Sequence, residues 1–592
     1  MHKPLITAVC LLGGVLAQNP PQTMVPPVRG THEMVGAANN LEVEAGYRLL
    51  TQGGNAVDAG VASVLAAAVT ELSRFGLGGE MPLLVKMAGK PVMAISGVGV
   101  APRKATVAYY TNRGPEAWED ASRMPAVPMQ GIKSAITPGV FDGLILALSK
   151  YGTKSFAEVA QPALEDAEQG FPMPDEFGNM LKGYQKVLAL WPDSEKFFYP
   201  DGAPTPRGEI FREPALSKTL RELIAAERKA HGSRAKKLEA VRDLFYKGSI
   251  AHRIADFNEK NGGLIEYKDL ADFHAEEEAA KMGTYRGYEV HKTGFWAQGP
   301  VMIEALNILE GFDLKAMGHN SPEYLHTVVE AVKLAFADRD QYYGDPKFSK
   351  IPEETLLSKD YAAERRKLID TKQASIEHRP GTFGSRVPLT TTPSTPSDGP
   401  IHDTTCVNVV DRQGNAFSAT PSGAWLPSVI AGDTGIPLTT RLQSFVMTPG
   451  HPNQLAPGKR PRVTLSPTLV TKAGKLVLVM STPGGDNQDQ AMLQVLLNIL
   501  DFGMTAQEAV EAPRFQTEHF YSSFAFHEFV PGKLNLEGRI PKTTVEAMQK
   551  LGHRVQVSGD WSNSSAPTVI LSHDAVLEGG ADPRRARFVF GR

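Results

Sequence analysis

Hydrophobic residues recur along this chain with two different periods. Helical spacing appears at residues 45–50 and 56–66, and two strand-like runs then flank the turn at 88–90, which predicts a β-hairpin. Residues 155–337 are mostly helical by period. The clearest helix begins at Ser321, a capping residue followed by a proline and an acid in the first turn. The first half of the chain therefore predicts a largely helical body with some strands.

The pattern changes after a loop-like segment. Residues 378–402 are rich in Pro, Ser, Thr and Gly, which is typical of an exposed loop. Strand-like runs follow at 404–410, 416–422 and 475–481, and a helical pattern follows at 487–501. Strands followed by packed helices predict an α+β fold built in layers.

The hairpin near residue 404 has a register that can be predicted. If its two strands pair around a turn at 412–414, Asp411 lies opposite Asn415 and Thr404 lies opposite Ser422. Opposite side chains in an antiparallel pair are roughly 5 Å apart, so the two hydroxyl groups can interact. Such Thr–Ser pairs are also routine on sheet surfaces, and the hairpin alone therefore leaves both interpretations open.

A second stretch, STPGGDNQD at 481–489, places two glycines between a strand and a helix. Backbone N–H groups of Gly484 and Gly485 could approach a ligand closely, and the helix N-terminus favours negative charge. Such a turn can stabilise the oxyanion formed when an amide carbonyl is attacked. A turn that needs glycine only for positive φ is the alternative.

Composition narrows the class of protein. The chain has 592 residues, 42% of them hydrophobic and 21% charged, with a formal net charge of -3. These values are typical of a soluble globular protein and argue against nucleic acid as a partner. No later apolar stretch reaches about 18 residues, so stable membrane insertion is not expected. HExxH, paired CxxC, GxSxG and phosphate-loop motifs are missing from the sequence, and we expect neither a metal nor an organic cofactor.

Residues 1–17 resemble a secretory signal. His2 and Lys3 precede a short apolar run that ends at Ala17, after which cleavage is predicted. The protein would then be periplasmic or secreted, whereas a disordered or helical N-terminus is the alternative. Cys10 would leave with the signal, and Cys406 is expected to be a packed thiol.

Several stretches together resemble the γ-glutamyltransferase family of N-terminal-nucleophile hydrolases. They are, in order, AGYRLLTQGGNAVDAGVA with GLGGE, HTVVEAVKLAFADRDQYYGDP, DTTCVNVVDRQGNAFSAT, PGKRPRVTLSPTLV and STPGGDNQ. The resemblance extends over about residues 30–580, and ordered motifs are more specific than any one of them. It implies a four-layer αββα sandwich that cuts itself into a large and a small chain.

The resemblance also implies roles for individual residues. The cut would fall between Asp403 and Thr404, leaving a large chain 18–403 and a small chain 404–592 that form one intertwined domain, a heterodimer. Thr404 would be the nucleophile, with its new α-amine as general base. Ser422 would steady that amine, and Gly484 and Gly485 would supply the oxyanion hole. An amide substrate would be hydrolysed, or its acyl group transferred, through an ester on Thr404.

Positions that bind the γ-glutamyl group in the family differ here. They correspond to Val98, Ala424, Arg441, Ser444, Val463 and Thr464. An arginine that binds the substrate's α-carboxylate is replaced by Val98, and the partners of its α-amine are replaced by Arg441 and Ser444. This pattern predicts a non-standard acyl group, and the Arg441 cation would suit an acidic one. The alternatives are a true γ-glutamyltransferase or glutathione hydrolase, and an uncleaved binding protein.

Overall fold

The computed structural model describes residues 23–383, 387–389, 403–573 and 575–592. The predicted signal, residues 1–17, lies outside the described residues, as does most of the predicted loop at 378–402.

Nineteen strands are assigned among the described residues. They are β1 Val28–Gly30, β2 Met34–Ala37, β3 Met81–Lys86, β4 Val92–Gly97, β5 Phe171–Pro172, β6 Ile210–Phe211, β7 Glu276–Ala279, β8 Lys281–Tyr285, β9 Tyr288–Lys292, β10 Val407–Val410, β11 Ala416–Ala419, β12 Thr468–Lys472, β13 Lys475–Ser481, β14 Phe515–Thr517, β15 Lys533–Glu537, β16 Arg554–Ser558, β17 Thr568–His573, β18 Val576–Ala581 and β19 Phe588–Gly591.

Nineteen α-helices are assigned in the same part of the chain. They are α1 Asn40–Thr51, α2 Ala56–Thr70, α3 Val107–Thr111, α4 Val140–Tyr151, α5 Phe156–Gln169, α6 Asp175–Leu188, α7 Pro192–Phe198, α8 Pro214–Lys229, α9 Arg234–Tyr246, α10 Ser249–Lys260, α11 Tyr267–Ala271, α12 Pro300–Leu309, α13 Leu314–Met317, α14 Pro322–Tyr342, α15 Glu353–Leu356, α16 Lys359–Arg366, α17 Gln488–Leu500, α18 Ala506–Glu511 and α19 Lys542–Lys550.

Two seven-stranded sheets form the centre of the molecule. The first sheet has the order β1-β18-β17-β13-β12-β9-β8, and the second has the order β19-β2-β10-β11-β3-β4-β7. An apolar cluster that includes Met34, Leu84, Val410, Val479 and Ile570 joins them face to face. Each sheet contains strands from both sides of residue 404, so the two parts of the chain share one core.

Helices cover the outer face of each sheet. The second sheet packs against α1, α2, α4 and α5 in a cluster that includes Val409 and Phe417, and the first packs against α12, α14 and α17 in a cluster that includes Val470 and Leu478. This arrangement is the predicted α+β sandwich of four layers, αββα.

Local signals account for several element boundaries. Asn55 and Asp58 form a capping box at the start of α2, and the Ser321 hydroxyl accepts a hydrogen bond from the Tyr324 N–H at the start of α14. The predicted hairpin around 88–90 is present as β3 and β4.

The region predicted to be mostly helical, residues 155–337, also contains strands β7, β8 and β9. Strand β7 lies at one edge of the second sheet and β8 at one edge of the first. Their sequences, EEEA and KMGTY, are polar and partly exposed. Pairing with a neighbouring strand, which the local period does not record, therefore determines their conformation.

No helix among the described residues has both the length and the apolar content that crossing a bilayer would need.

Candidate active site

The predicted register of the hairpin near residue 404 is confirmed. Val407 pairs with Ala419, and an isolated bridge pairs Thr404 with Ser422. The Thr404 Oγ1 atom lies 3.1 Å from the Ser422 Oγ atom, and the Gln488 side-chain amide lies 3.5 Å from the same threonine oxygen. Both hydroxyl residues are buried, so the two groups interact without competition from bulk water.

The carbonyl oxygen of Asp403, at the predicted cut, accepts hydrogen bonds from two side chains. The Ser422 hydroxyl donates at 2.9 Å, and the indole N–H of Trp425 donates as well. The Ser422 hydroxyl therefore contacts both the hydroxyl of Thr404, the predicted nucleophile, and the carbonyl oxygen of the peptide bond that precedes it.

Two arginines hold the side chain of Asp403. The Arg74 Nε atom lies 2.6 Å from the Asp403 carboxylate, and Arg585 pairs with the same oxygen. Burial acts to raise the pKa of the Asp403 carboxyl, but the Arg585 and Arg74 charges outweigh it and the pKa is lowered. Asp403 is therefore ionised at neutral pH and fixes the chain on the N-terminal side of Thr404.

The glycine turn after β13 adopts the backbone conformation that its sequence suggests. Gly484 and Gly485 have φ values of 118° and 56°, and a single 3₁₀ turn at Gly485–Asn487 leads into α17. Asp486 holds this turn in place, because it accepts hydrogen bonds from Ser523 and pairs with Arg339 of α14. The first N–H groups of a helix lack intrahelical partners, so this turn can bind an anion.

A cavity of about 360 Å³ adjoins the glycine turn. Its lining includes Asp403, Gly484, Gly485, Phe524 and Arg585. Thr404 is not among the lining residues and is only 2% exposed. Asp403 therefore faces the cavity and Thr404 lies behind it.

Arg441 lies beside the hairpin that begins near Thr404, and it already forms an ion pair. Its Nε atom is 2.5 Å from the Glu80 carboxylate, its Nη2 atom is 3.4 Å from the Ser422 Oγ, and both charged side chains are fully buried. The guanidinium also lies 4.2 Å from the centre of a Trp425 ring. The cation predicted at this position is present, and Glu80 is the acid that balances its charge. The Nη1 group has no hydrogen-bond partner among the described residues.

The other predicted substrate-binding residues are buried and do not line the cavity next to the glycine turn. Val98 and Val463 belong to an apolar cluster with Trp296. Ala424 and Thr464 are buried as well, and Ser444 ends a 3₁₀ turn that begins at Arg441. Their role in substrate binding stays a prediction.

One group of side chains away from the hairpin has donor atoms suited to a metal. Atoms of His326, Glu330 and His553 lie within 4.8 Å of one another and are buried. Glu330 already pairs with Lys333 at 2.6 Å and with Arg379 at 3.0 Å. Glu330 is the single acid of this group, and two cationic side chains already balance its charge. The group is therefore better explained as a structural hydrogen-bond network than as a cation site.

Four residues around the hairpin were not predicted from the sequence: Glu80, Trp425, Arg74 and Arg585. Glu80 ends the GLGGE stretch, and Trp425 follows Ser422 by three residues, so each was close to a recognised motif. Cys406 is a buried free thiol 3.6 Å from the Thr568 hydroxyl, which fits the predicted packing role.

The αββα fold and a threonine at the head of a central hairpin, next to a glycine turn, define an amidohydrolase or acyltransferase of the N-terminal-nucleophile class. The chain belongs to the γ-glutamyltranspeptidase family, whose model matches residues 43–591.

Similar proteins include both hydrolases and acylases. The glutathione hydrolase proenzyme of Escherichia coli (strain K12) is 33% identical over 98% of this chain and 96% of its own length. The acylase ACY 1 proenzyme of Pseudomonas sp. (strain SE83) is 33% identical over 94% of this chain and 92% of its own.

Solved structures are similar over almost the whole chain. The structure of LmbA2991HD has a TM-score of 0.88 and 33% identity, and covers 96% of this chain and 100% of its own. Cephalosporin acylase from Bacillus halodurans has a TM-score of 0.81 and 29% identity, covering 97% and 99%.

Proposed function

We propose that this chain is an exported, self-cleaving amide hydrolase or acyltransferase that works through an acyl ester on Thr404. The observation that carries the proposal is the contact of 3.1 Å between the Thr404 and Ser422 hydroxyl groups, directly after a carbonyl that Ser422 also binds. A hydroxyl held in this way is positioned to attack the preceding peptide bond.

The cut would give the large chain 18–403 and the small chain 404–592. Both sheets contain strands of both chains, and this supports a stable heterodimer that shares one core. Thr404 would then carry a free α-amine, whose ordinary pKa of about 7.7–8.0 suits a general base near neutral pH.

Turnover would use the cavity next to the glycine turn. Because Asp403 lies between this cavity and Thr404 in the uncut chain, release of the Asp403 chain end would expose the nucleophile. Thr404 would attack the substrate carbonyl while the N–H groups of Gly484 and Gly485 stabilise the oxyanion. The leaving amine would take the proton, and water or a second amine would then release the acyl group from the ester.

The predicted substrate-binding positions support an acyl group other than γ-glutamyl. Val98, Ala424 and Val463 offer no side-chain hydrogen bonds to a zwitterionic amino acid. Glu80 balances the charge of Arg441, so the unpartnered Nη1 group would select a hydrogen-bond acceptor more than a net negative charge. Hydrolysis of glutathione is the second candidate, because glutathione hydrolase proenzymes are among the similar proteins.

The cut is tested by gel electrophoresis and N-terminal sequencing of the purified protein. Wild type should give two chains, the smaller beginning at Thr404, and Thr404→Ala should stay intact. Thr405→Ala is a matched control, because the Thr405 hydroxyl is buried and has no partner among the described residues. An intact wild-type chain would remove the proposal.

The acyl preference is tested with glutaryl and γ-glutamyl anilides on the cleaved enzyme. We expect faster hydrolysis of the glutaryl compound, and a strong preference for the γ-glutamyl compound would support the second candidate instead. Export is tested by fractionating cells, where a mature protein beginning at Gln18 outside the cytoplasm is expected.

A further inference from the structure

The carbonyl oxygen of Asp403, at the proposed cut, accepts a hydrogen bond from the indole N–H of Trp425. We propose that Trp425 is a catalytic residue of self-cleavage, whose indole N–H stabilises the oxyanion that forms on Asp403 when Thr404 attacks. This inference rests on the proposed cut between Asp403 and Thr404.

The two side-chain donors account for both lone pairs of the Asp403 carbonyl oxygen. A peptide oxygen accepts two hydrogen bonds, and here they come from the Ser422 hydroxyl and the Trp425 indole. Asp403, Thr404, Ser422 and Trp425 are each at most 3% exposed, so bulk water does not replace either donor. Fixed donors in a buried site stabilise developing negative charge more strongly than water does.

Arg441 contacts both residues that donate to this carbonyl oxygen. Its guanidinium lies 4.2 Å from a Trp425 ring centre, and its Nη2 group is 3.4 Å from the Ser422 oxygen. A cation on the face of an indole attracts its π electrons and polarises the ring, which makes the N–H a better donor. Glu80 holds Arg441 in this place through a contact of 2.5 Å, so Arg441 is a positioning residue for self-cleavage.

The step balances within the chain and one water molecule. The Thr404 Oγ atom forms a bond to the Asp403 carbonyl carbon, and the carbonyl electrons move to the oxygen held by Trp425 and Ser422. As the oxyanion collapses, the bond from Asp403 to the Thr404 nitrogen breaks, and the Thr404 hydroxyl proton ends on that nitrogen. Water then hydrolyses the resulting ester, which yields the Asp403 carboxylate and restores the Thr404 hydroxyl.

This oxyanion site is separate from the one proposed for turnover. Gly484 and Gly485 line the cavity, whereas Trp425 is not among its lining residues and is 2% exposed. The indole N–H therefore serves the chain's own peptide bond, and the glycine turn serves the bond of a substrate.

The test removes the indole N–H of Trp425 and keeps a bicyclic aromatic ring in its place. Full-length chain is made by cell-free translation with Trp425 replaced by L-3-benzothienylalanine, in which sulfur takes the place of the N–H, and beside it Trp425→Phe. After translation is stopped, conversion to two chains is followed on gels. The same benzothienyl replacement at Trp118 is the control, because the Trp118 N–H is buried and has no partner among the described residues.

We expect both changes at Trp425 to slow the cut on the order of 100-fold or more, as loss of one oxyanion donor does in other enzymes, and the change at Trp118 to leave the rate unaltered. A benzothienyl variant at position 425 that cuts within twofold of wild type would overturn the role of Trp425 while leaving the proposed function intact. An uncut wild type would instead remove the proposed function.

Packing effects are measured separately, in chains that also carry Thr404→Ala and cannot cut themselves. The thermal midpoint of the benzothienyl variant should match that of its parent. A slower cut accompanied by a lower midpoint in this variant would assign the effect to packing and contradict a role for the N–H.

Discussion

Arg441 and Glu80 form a fully buried ion pair, and this burial determines how much stability we expect the protein to lose when one partner is removed. Arg441→Met would leave the Glu80 carboxylate fully buried, with the Thr439 hydroxyl at 3.2 Å as its one remaining hydrogen-bond donor among the described residues. Removing one partner of a buried ion pair costs about 3–5 kcal/mol, because the other charge loses its compensation. We therefore expect a loss of stability in this range.

The assay is urea unfolding followed by fluorescence and circular dichroism, with every variant built on Thr404→Ala so that all chains share one covalent state. Arg207→Met is the control. Arg207 pairs with Asp175 at 2.6 Å, but its side chain is 81% exposed and that of Asp175 is 56% exposed. Such a pair contributes about 0–1 kcal/mol, so the control should change little.

Combining Glu80→Leu with Arg441→Met removes both charges and should recover most of the lost stability. A free energy of unfolding for Arg441→Met no lower than that of Arg207→Met would contradict the expected cost of an unpaired buried charge. A double variant as unstable as Arg441→Met alone would contradict it as well.

Three further changes test other parts of the fold and site. Glu213 is fully buried, and neither of its carboxylate oxygens has a hydrogen-bond partner among the described residues; burial, followed by the Asp166 charge, raises the pKa of its carboxyl well above 4.5. Its contribution to stability is therefore largest below the unfolded pKa, near 4.5, and is lost as pH rises through the folded pKa, so Glu213→Gln should flatten the fall in thermal midpoint as pH rises above 4.5. Curves parallel to wild type would contradict this. Gly484→Ala would place a Cβ atom 2.2 Å from the Ser565 hydroxyl, at a residue whose φ is 118°. We expect kcat on an anilide to drop about 100-fold while the chain still cuts itself. An unchanged kcat would exclude the turn from catalysis. Gly60→Ala would bring a Cβ within 2.4 Å of the Phe417 ring and should cost about 1–3 kcal/mol in urea unfolding, whereas an unchanged midpoint would show that α2 can shift.

The sequence determined the features that depend on neighbouring residues. Backbone periodicity and turn length fix a hairpin register, and for this reason the contact between Thr404 and Ser422 was predictable before any tertiary structure. Caps at Asn55 and Ser321 were predictable for the same reason, because a side chain there binds an N–H group two or three residues later. The ordered motifs extended this local information to the whole fold and to the glycine turn.

Tertiary structure alone decided which charged groups and hydrogen-bond donors surround the proposed nucleophile, Thr404. Arg74 is 329 residues from Asp403 in sequence, Arg585 is 182 residues away, and Glu80 is 361 residues from Arg441. These groups meet because the fold brings distant segments together and buries their side chains. The hydrophobic and polar pattern of neighbouring residues does not record such contacts. The same holds for the edge strands β7 and β8, whose polar sequences become strands through pairing with a neighbour. The sequence therefore determined the position of the proposed nucleophile in its hairpin, whereas packing between distant segments determined the electrostatic environment in which it would act.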